Sequence, residues 1–309
     1  MALAALAIGV GALAPIDGQT PAPPSPKIAL TFDDLPVHGP LPPGLTRVQV
    51  TKQIVDALVK HGVPQAYGFV NGKALDEDPQ HAGVLQLWRD AGFPLGNHGW
   101  SHMDLHASTV EAFEQEILLN EPVLRRFMGD GDWRWFRFPF LREGDTPAKY
   151  DAVRKLLAGH GYRVAQVTVS FDDYAYNDPY VRCLAAGDRE ALAWLERNYL
   201  DRAGESLERS RDAAVRIFGR DINHVMLLHV GAFQTVMLPR LLDLLRDRGF
   251  AVIALEEAQA DEAYRAVPQR PGPRAGTWLD QVEANPSPRS PGSADVFARL
   301  QSLCRAASG

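Results

Sequence analysis

The chain has 309 residues, 46% of them hydrophobic, which is enough apolar material to fill the core of one large domain. With 38 acidic against 32 basic residues its net charge is -6, so it has no general basic field for gripping phosphates, and nucleic acid is set aside as a partner. No segment is uniformly apolar over the roughly 20 residues that a membrane-spanning helix needs, so stable membrane insertion is not expected, and nothing in the composition fixes an oligomeric state.

Taken in chain order, residues 1–14 form an apolar run ending in Ala12-Leu13-Ala14, which has the pattern of a signal core and predicts a secreted or periplasmic protein. A basic n-region is missing, and the alternative is an Ala-rich extension. Residues 15–26 read as an extended Pro-rich linker. From Lys27 onward short apolar runs alternate with helical patterns. Seven strands are predicted at 28–32, 66–70, 93–96, 135–138, 164–169, 225–230 and 251–255. Helical spacing falls at 47–61, 79–91, 109–127, 146–160 and 238–248, with Ser108 or Thr109 as a cap for the third. Strands alternating with helices predict a parallel α/β architecture, in which functional residues gather at the carboxyl ends of the strands. Residues 178–221 carry more than one helix, at 189–199 and 204–218, and read either as a helical insertion before the sixth strand or as a long crossover. A catalytic domain is expected over 27–267, followed by a Pro- and Gly-rich extension, 268–309, with a short helix at 294–305. Cys183 and Cys304 are far apart and outside any metal-binding spacing; two unrelated thiols are expected rather than a disulfide.

Four polar motifs stand at the ends of apolar runs: Thr31-Phe32-Asp33-Asp34, His98-Gly99-Trp100-Ser101-His102, Arg137-Phe138-Pro139-Phe140 and Leu227-Leu228-His229. Adjacent carboxylates at a strand end point to different sides and can divide two roles. A helical turn after the third strand would put His98 and His102 on one face. Two imidazoles with one carboxylate form a donor set suited to one divalent cation, zinc first, with cobalt or manganese as alternatives. His106 continues the spacing but is not counted as a ligand, because a hydrolytic ion keeps positions open. Arg137, embedded among aromatic residues, needs a carboxylate partner. His229 emerges from an apolar strand as a candidate general acid. His38, His61, His81, His160 and His224 read as surface or helix-end residues, although His38 and Trp100 lie close enough to motifs to meet a substrate.

These motifs, in this order, resemble those of the polysaccharide deacetylases with NodB homology, carbohydrate esterase family 4. The resemblance implies a distorted (β/α)7-type barrel and metal-dependent removal of acetyl groups from a glycan. It makes Asp34, His98 and His102 the metal ligands, Asp33 the general base, Arg137 the partner of Asp33, the Phe140 N–H the oxyanion donor and Leu227 part of an acetyl pocket. In Ser170-Phe171-Asp172-Asp173-Tyr174 the chain departs from the family pattern, since Tyr174 stands where a Trp is usual. Asp173 then aligns with the residue that orients Arg137, with Asp172 as a competitor, while Tyr174, Tyr176 and Asn177 are expected along the groove. The implied substrate is an N-acetylglucosamine-containing glycan of the chitin or peptidoglycan kind. An O-acetyl esterase acting on xylan or a similar polysaccharide, and a catalytically silent glycan-binding module, are the alternatives.

Overall fold

The computed structural model describes residues 25–268, 276–283 and 293–305. The signal-like segment, nearly all of the Pro-rich linker and about half of the Pro- and Gly-rich tail lie outside the described residues. Its central strand, β1 (Lys27–Leu35), is buried along almost its whole length, as expected of a parallel strand covered on both faces. On one edge it pairs with β6 (His224–His229), with Ile28 opposite His224 and Asp33 opposite His229. On the other edge β2 (Ala66–Val70) begins opposite Leu30, and β7 (Ala251–Ile253) fills the stretch before it, at Lys27 to Ala29. Beyond β2 come β3 (Leu95–Asn97), β4 (Trp135–Phe136) and β5 (Arg163–Val164), all parallel, giving the order β5-β4-β3-β2-β1-β6.

The ring closes through the chain after β5. Val169 bridges Met226 of β6, and the Leu227 N–H donates to the Val169 carbonyl at 3.0 Å. The segment expected as one strand over 164–169 is therefore divided: its start pairs with β4 and its end with β6, because the chain must turn across the barrel wall between them. The result is the distorted α/β barrel expected from the sequence.

Helices cover the outside: α1 (Arg47–Lys60), α2 (Lys73–Glu77), α3 (Ala82–Asp90), α4 (Val110–Met128), α5 (Pro147–Gly159), α6 (Asn177–Ala186), α7 (Arg189–Phe218), α8 (Ala232–Asp247), α9 (Leu255–Gln259), α10 (Trp278–Val282) and α11 (Ser293–Ser302). Thr46 and Gln49 cap α1 reciprocally, and Thr109 caps α4 by accepting from the Ala112 N–H at 3.1 Å. The insertion before β6 does not break where expected: α7 is one helix of 30 residues running through Gly204, whose bare face is covered by the Arg248 guanidinium. α8 starts six residues before the apolar spacing suggests and accommodates Pro239 inside it. The chain just after α11 is tied to α6 by a disulfide between Cys183 and Cys304, which corrects the expectation of two separate thiols; a sequence separation of 121 hid a proximity that only the tertiary fold creates. Arg182 reinforces the junction by donating to the carbonyls of Leu300 and Leu303.

Alternation along the strands sorts the two sides of the barrel wall. Leu30, Phe32, Leu35, Leu95, Phe136 and Leu228 pack outward in the large core under the helices. Ala29, Tyr67, Phe69, Trp135 and Val225 turn inward, and Gly96 has no side chain where one would strike Tyr67 and Phe69. This aromatic plug forms the floor on which the polar residues at the strand ends stand.

Candidate active site

The sheet register brings the motifs together. One step beyond the paired Val70, Asn97 and Phe136 stand His98 and Arg137, while Asp33 and His229 face each other across β1 and β6. Arg137 is fully buried, with its guanidinium 4.7 Å from the centre of the Phe69 ring. It donates to the Ala165 carbonyl (2.8 Å), to Thr31 Oγ1 (3.1 Å) and to Asp33 Oδ1 (3.2 Å). Thr31 in turn donates to the Met226 carbonyl at 2.8 Å. Asp33 thus sits 3% exposed against a fixed positive charge, the pairing that a buried carboxylate requires.

Three electron-pair donors converge beside it. His98 Nδ1 lies 2.8 Å from the Arg137 carbonyl; a carbonyl only accepts, so the proton sits on Nδ1 and the lone pair of Nε2 faces inward. That Nε2 is 3.4 Å from Asp34 Oδ1, and His102 Nε2 is 3.3 Å from the same oxygen. Asp34 Oδ1 is buried and has no hydrogen-bond partner. A tetrahedral centre with bonds of about 2.0–2.1 Å sets neighbouring donors about 3.3 Å apart. The spacing found is that of ligands around one small cation, and an orphaned carboxylate oxygen facing two imidazole nitrogens has little other reason to persist in a buried place. Burial and the neighbouring His98 push the His102 pKa down to about 4, so its imidazole is neutral and free to ligate. Burial works against the Asp34 carboxylate, but the hydrogen bond from His38 and the facing His98 outweigh it and hold the pKa well below the ordinary value. The described residues therefore fit a divalent cation at Asp34, His98 and His102.

The two histidines reach that place without the helical turn expected after β3. Residues 98–104 are an irregular loop, reversed by positive φ at Gly99 (76°) and His102 (60°). The loop is pinned to α4: Glu116 Oε2 accepts from the Ser101 N–H (2.6 Å) and hydroxyl (2.9 Å), and Asn97 and Asn120 bond to each other at 2.9 Å beneath it.

Opposite the cluster, His229 Nδ1–H donates to Asp173 Oδ1 at 2.8 Å, and the His229 backbone N–H donates to Asp173 Oδ2 at 2.8 Å. Burial disfavours the imidazolium, yet the Asp173 carboxylate prevails and raises the His229 pKa to about 9. Here the sequence reading needs correction. Asp173 orients His229 rather than Arg137, whose bonds go to Asp33, Thr31 and Ala165. Asp172 adopts a left-handed conformation (φ 59°) at the start of the turn.

Phe140 and Tyr174 are both exposed aromatic residues at the mouth: the first lies 4.4 Å from the His102 ring, the second 5.6 Å from the His229 ring. Leu227 is inward-facing and buried on β6. Trp100 instead packs its ring over Gly72, where a Cβ would lie 2.7 Å from it. Tyr176 belongs to the core, bonded to Asn198, and Asn177 is buried, joining the loops after β1 and β6 through the Pro40 carbonyl and the Phe233 N–H. His224, expected at the surface, is buried between Thr168 and Asp221. His38, read as bland, donates from Nδ1 to Asp34 Oδ2 at 3.0 Å; only its place four residues after Asp34 hinted at this. His106 stays outside the donor cluster.

Residues 20–165 match the family model for polysaccharide deacetylase. The chain is 25% identical to a chitin deacetylase of Arthroderma benhamiae over 152 residues, covering 49% of this chain and 36% of the relative. It is 27% identical to a peptidoglycan-N-acetylglucosamine deacetylase of Bacillus cereus over 103 residues (33% and 32%). A chitooligosaccharide deacetylase of Rhizobium leguminosarum bv. trifolii is 35% identical over 91 residues (29% and 36%). The matched segment thus spans only about a third of the length of each of these relatives. Among solved structures, the chitin deacetylase of Colletotrichum lindemuthianum superposes with a TM-score of 0.55 at 23% identity, covering 77% of this chain and 88% of that one. A CE4 family pseudoenzyme from Bacillus anthracis gives 0.52 at 17% identity (77% and 66%). Both share the fold. The segment 20–165, which carries Asp33, Asp34, His98, His102 and Arg137, matches the polysaccharide deacetylase family, and the chain shares the barrel fold of the solved chitin deacetylase.

Proposed function

We propose that the chain is a metal-dependent deacetylase that removes acetyl groups from an N-acetylglucosamine-containing glycan of the chitin or peptidoglycan kind, with residues 27–267 as its catalytic unit. The observation that carries this reading is the orphaned Asp34 Oδ1 facing two imidazole nitrogens at 3.3 and 3.4 Å, with a carboxylate base on one side and a protonated imidazole on the other.

Asp34, His98 and His102 would hold a divalent cation, zinc first and cobalt or manganese as alternatives, which would supply Lewis-acid polarisation of the acetyl carbonyl and acidify an attacking water. Asp33 takes the proton from that water. Arg137 fixes the Asp33 carboxylate, since its guanidinium donates to it and is itself held at two further points. As negative charge develops on the acetyl oxygen, the Phe140 N–H is the proposed donor to it. Phe140 and Leu141 both have positive φ (59° and 53°), strain of a kind found where backbone is aimed at a reacting group. His229, held protonated by Asp173, gives its proton to the departing amine. Leu227 floors the acetyl methyl, and Tyr174 and Phe140 flank the sugar.

The Cys183–Cys304 disulfide supports an exported protein, because such bonds persist in oxidising compartments. Acetate release from chitooligosaccharides, peptidoglycan and acetylxylan tests the reading. Release from the amino-sugar substrates is expected, lost on chelation and restored by zinc or cobalt. Release from acetylxylan alone would make the protein an esterase, and bound metal with no release from any of the three would leave a silent glycan-binding module.

A further inference from the structure

His38 stands beside the donor cluster and outside it. Asp34 divides its two oxygens: Oδ1 faces the Nε2 atoms of His98 and His102, while Oδ2 accepts the Nδ1–H of His38 at 3.0 Å. The loop carrying His38 is built to hold that ring. Arg47, in the first turn of α1, donates to the His38 carbonyl (2.8 Å) and to the Gly39 carbonyl (2.5 Å). Asn177 ties the same loop down at the Pro40 carbonyl, 2.9 Å away. On the far side, Gly231 leaves the space the ring needs, since a Cβ there would come 3.3 Å from His38 Cδ2 and 2.7 Å from Asn177 Oδ1. The His38 ring also packs 4.8 Å from that of His229.

We infer that His38 is a positioning residue that keeps Asp34 a one-oxygen ligand, holding Oδ2 away from the cation so that a coordination position stays open for water and the acetyl oxygen. The inference rests on the proposed metal site. A carboxylate free at both oxygens can turn and chelate one ion with both, whereas an outer hydrogen bond fixes its plane, as partners behind metal ligands generally do. The Asp34 backbone is itself in a left-handed conformation (φ 62°), uncommon outside glycine, so the loop that carries His38 starts from a reversed chain beside the carboxylate.

The test uses metal-free full-length protein and zinc, with affinity and stoichiometry measured by chelator competition and kcat measured at saturating zinc. His38→Ala removes the donor; His38→Asn returns an N–H to nearly the same place. His38→Ala is expected to weaken zinc binding by about 10–100-fold and to lower kcat even when loaded, while His38→Asn regains most of the affinity. Thermal unfolding of the metal-free variants confirms that both are folded, and the Asn variant carries the test if the Ala variant is not. Unchanged zinc affinity in folded His38→Ala overturns the inference, as does a folded His38→Asn variant that binds zinc ten times or more weakly than the parent. Two zinc ions per parent chain and one in His38→Ala would make His38 a ligand of a second ion with Asp34 and His229, and would overturn it too. His98→Ala serves as the control: if that variant binds zinc like the parent, the metal site itself is wrong.

Discussion

Each carboxylate and imidazole at this site has its role set by its neighbours rather than by its type. Asp33 and Asp34 are adjacent in sequence, yet one lies against a buried guanidinium and the other against two imidazole nitrogens. Asp33→Asn keeps the shape and removes the proposed base, so turnover is expected to fall by about 10²–10⁴-fold while elemental analysis is expected still to find the metal. If that variant loses its metal and Asp34→Asn retains it, the two roles are exchanged. Asp173 acts through His229, whose pKa it raises to about 9 against the effect of burial. A group so raised is protonated below its pKa and loses its proton as pH climbs through it. Asp173→Asn is therefore expected to move the alkaline limb of the kcat/KM profile to lower pH, with the acid limb, which reports the base, unmoved. An unshifted alkaline limb would remove His229 as the acid.

The elements deliver these residues through strain and buried polar support as much as through strand geometry. Asp34, His102, Phe140 and Asp172 all have positive φ without being glycine, and all lie around the cluster. Such conformations cost on the order of 1–3 kcal/mol each and persist only where surrounding contacts over-determine them. For the histidine loop those contacts come from α4, whose buried Glu116 accepts two hydrogen bonds from Ser101. Glu116→Ala removes the carboxylate that accepts from the Ser101 N–H and hydroxyl, an expected loss of about 1–3 kcal/mol of stability. It should also weaken zinc binding, because His102 is one residue away. Thermal unfolding and zinc competition, measured side by side, check both; a destabilised variant with full zinc affinity would show that the loop holds His102 without Glu116.

At the scale of the whole molecule the barrel is closed twice, once by the hydrogen bonds between the chain at Val169 and β6, and once by the disulfide that fastens the chain just after α11 to α6. The first closure sets the distance between Asp173 and His229, since the bridge immediately precedes the turn that carries Asp173. The second includes none of the donor residues. Cys183→Ser is expected to lower the unfolding free energy by about 2–4 kcal/mol through the freed chain entropy of the unfolded state, with zinc affinity unchanged. A loss of zinc binding in that variant would mean that α6 and its neighbours transmit the disturbance to the site.

What the sequence determined by itself was local and periodic: alternating apolar runs for seven strands, helical spacing for most helices, and polar residues standing at strand ends where an α/β barrel gathers them. Asp33, Asp34, His98, Arg137 and His229 were legible because each breaks an apolar run at its end, and that break is visible in one dimension. The partner of Asp173, the use of His38, the burial of His224 and the Cys183–Cys304 bond were not legible. Each depends on a neighbour brought from 56 residues away for Asp173 and His224, on a turn that reverses the chain for His38, or on the docking of a terminal helix across 121 residues. Such pairings are decided by how the barrel closes, because hydrogen-bond partners are chosen by distance in space, and no periodicity in the chain encodes that distance.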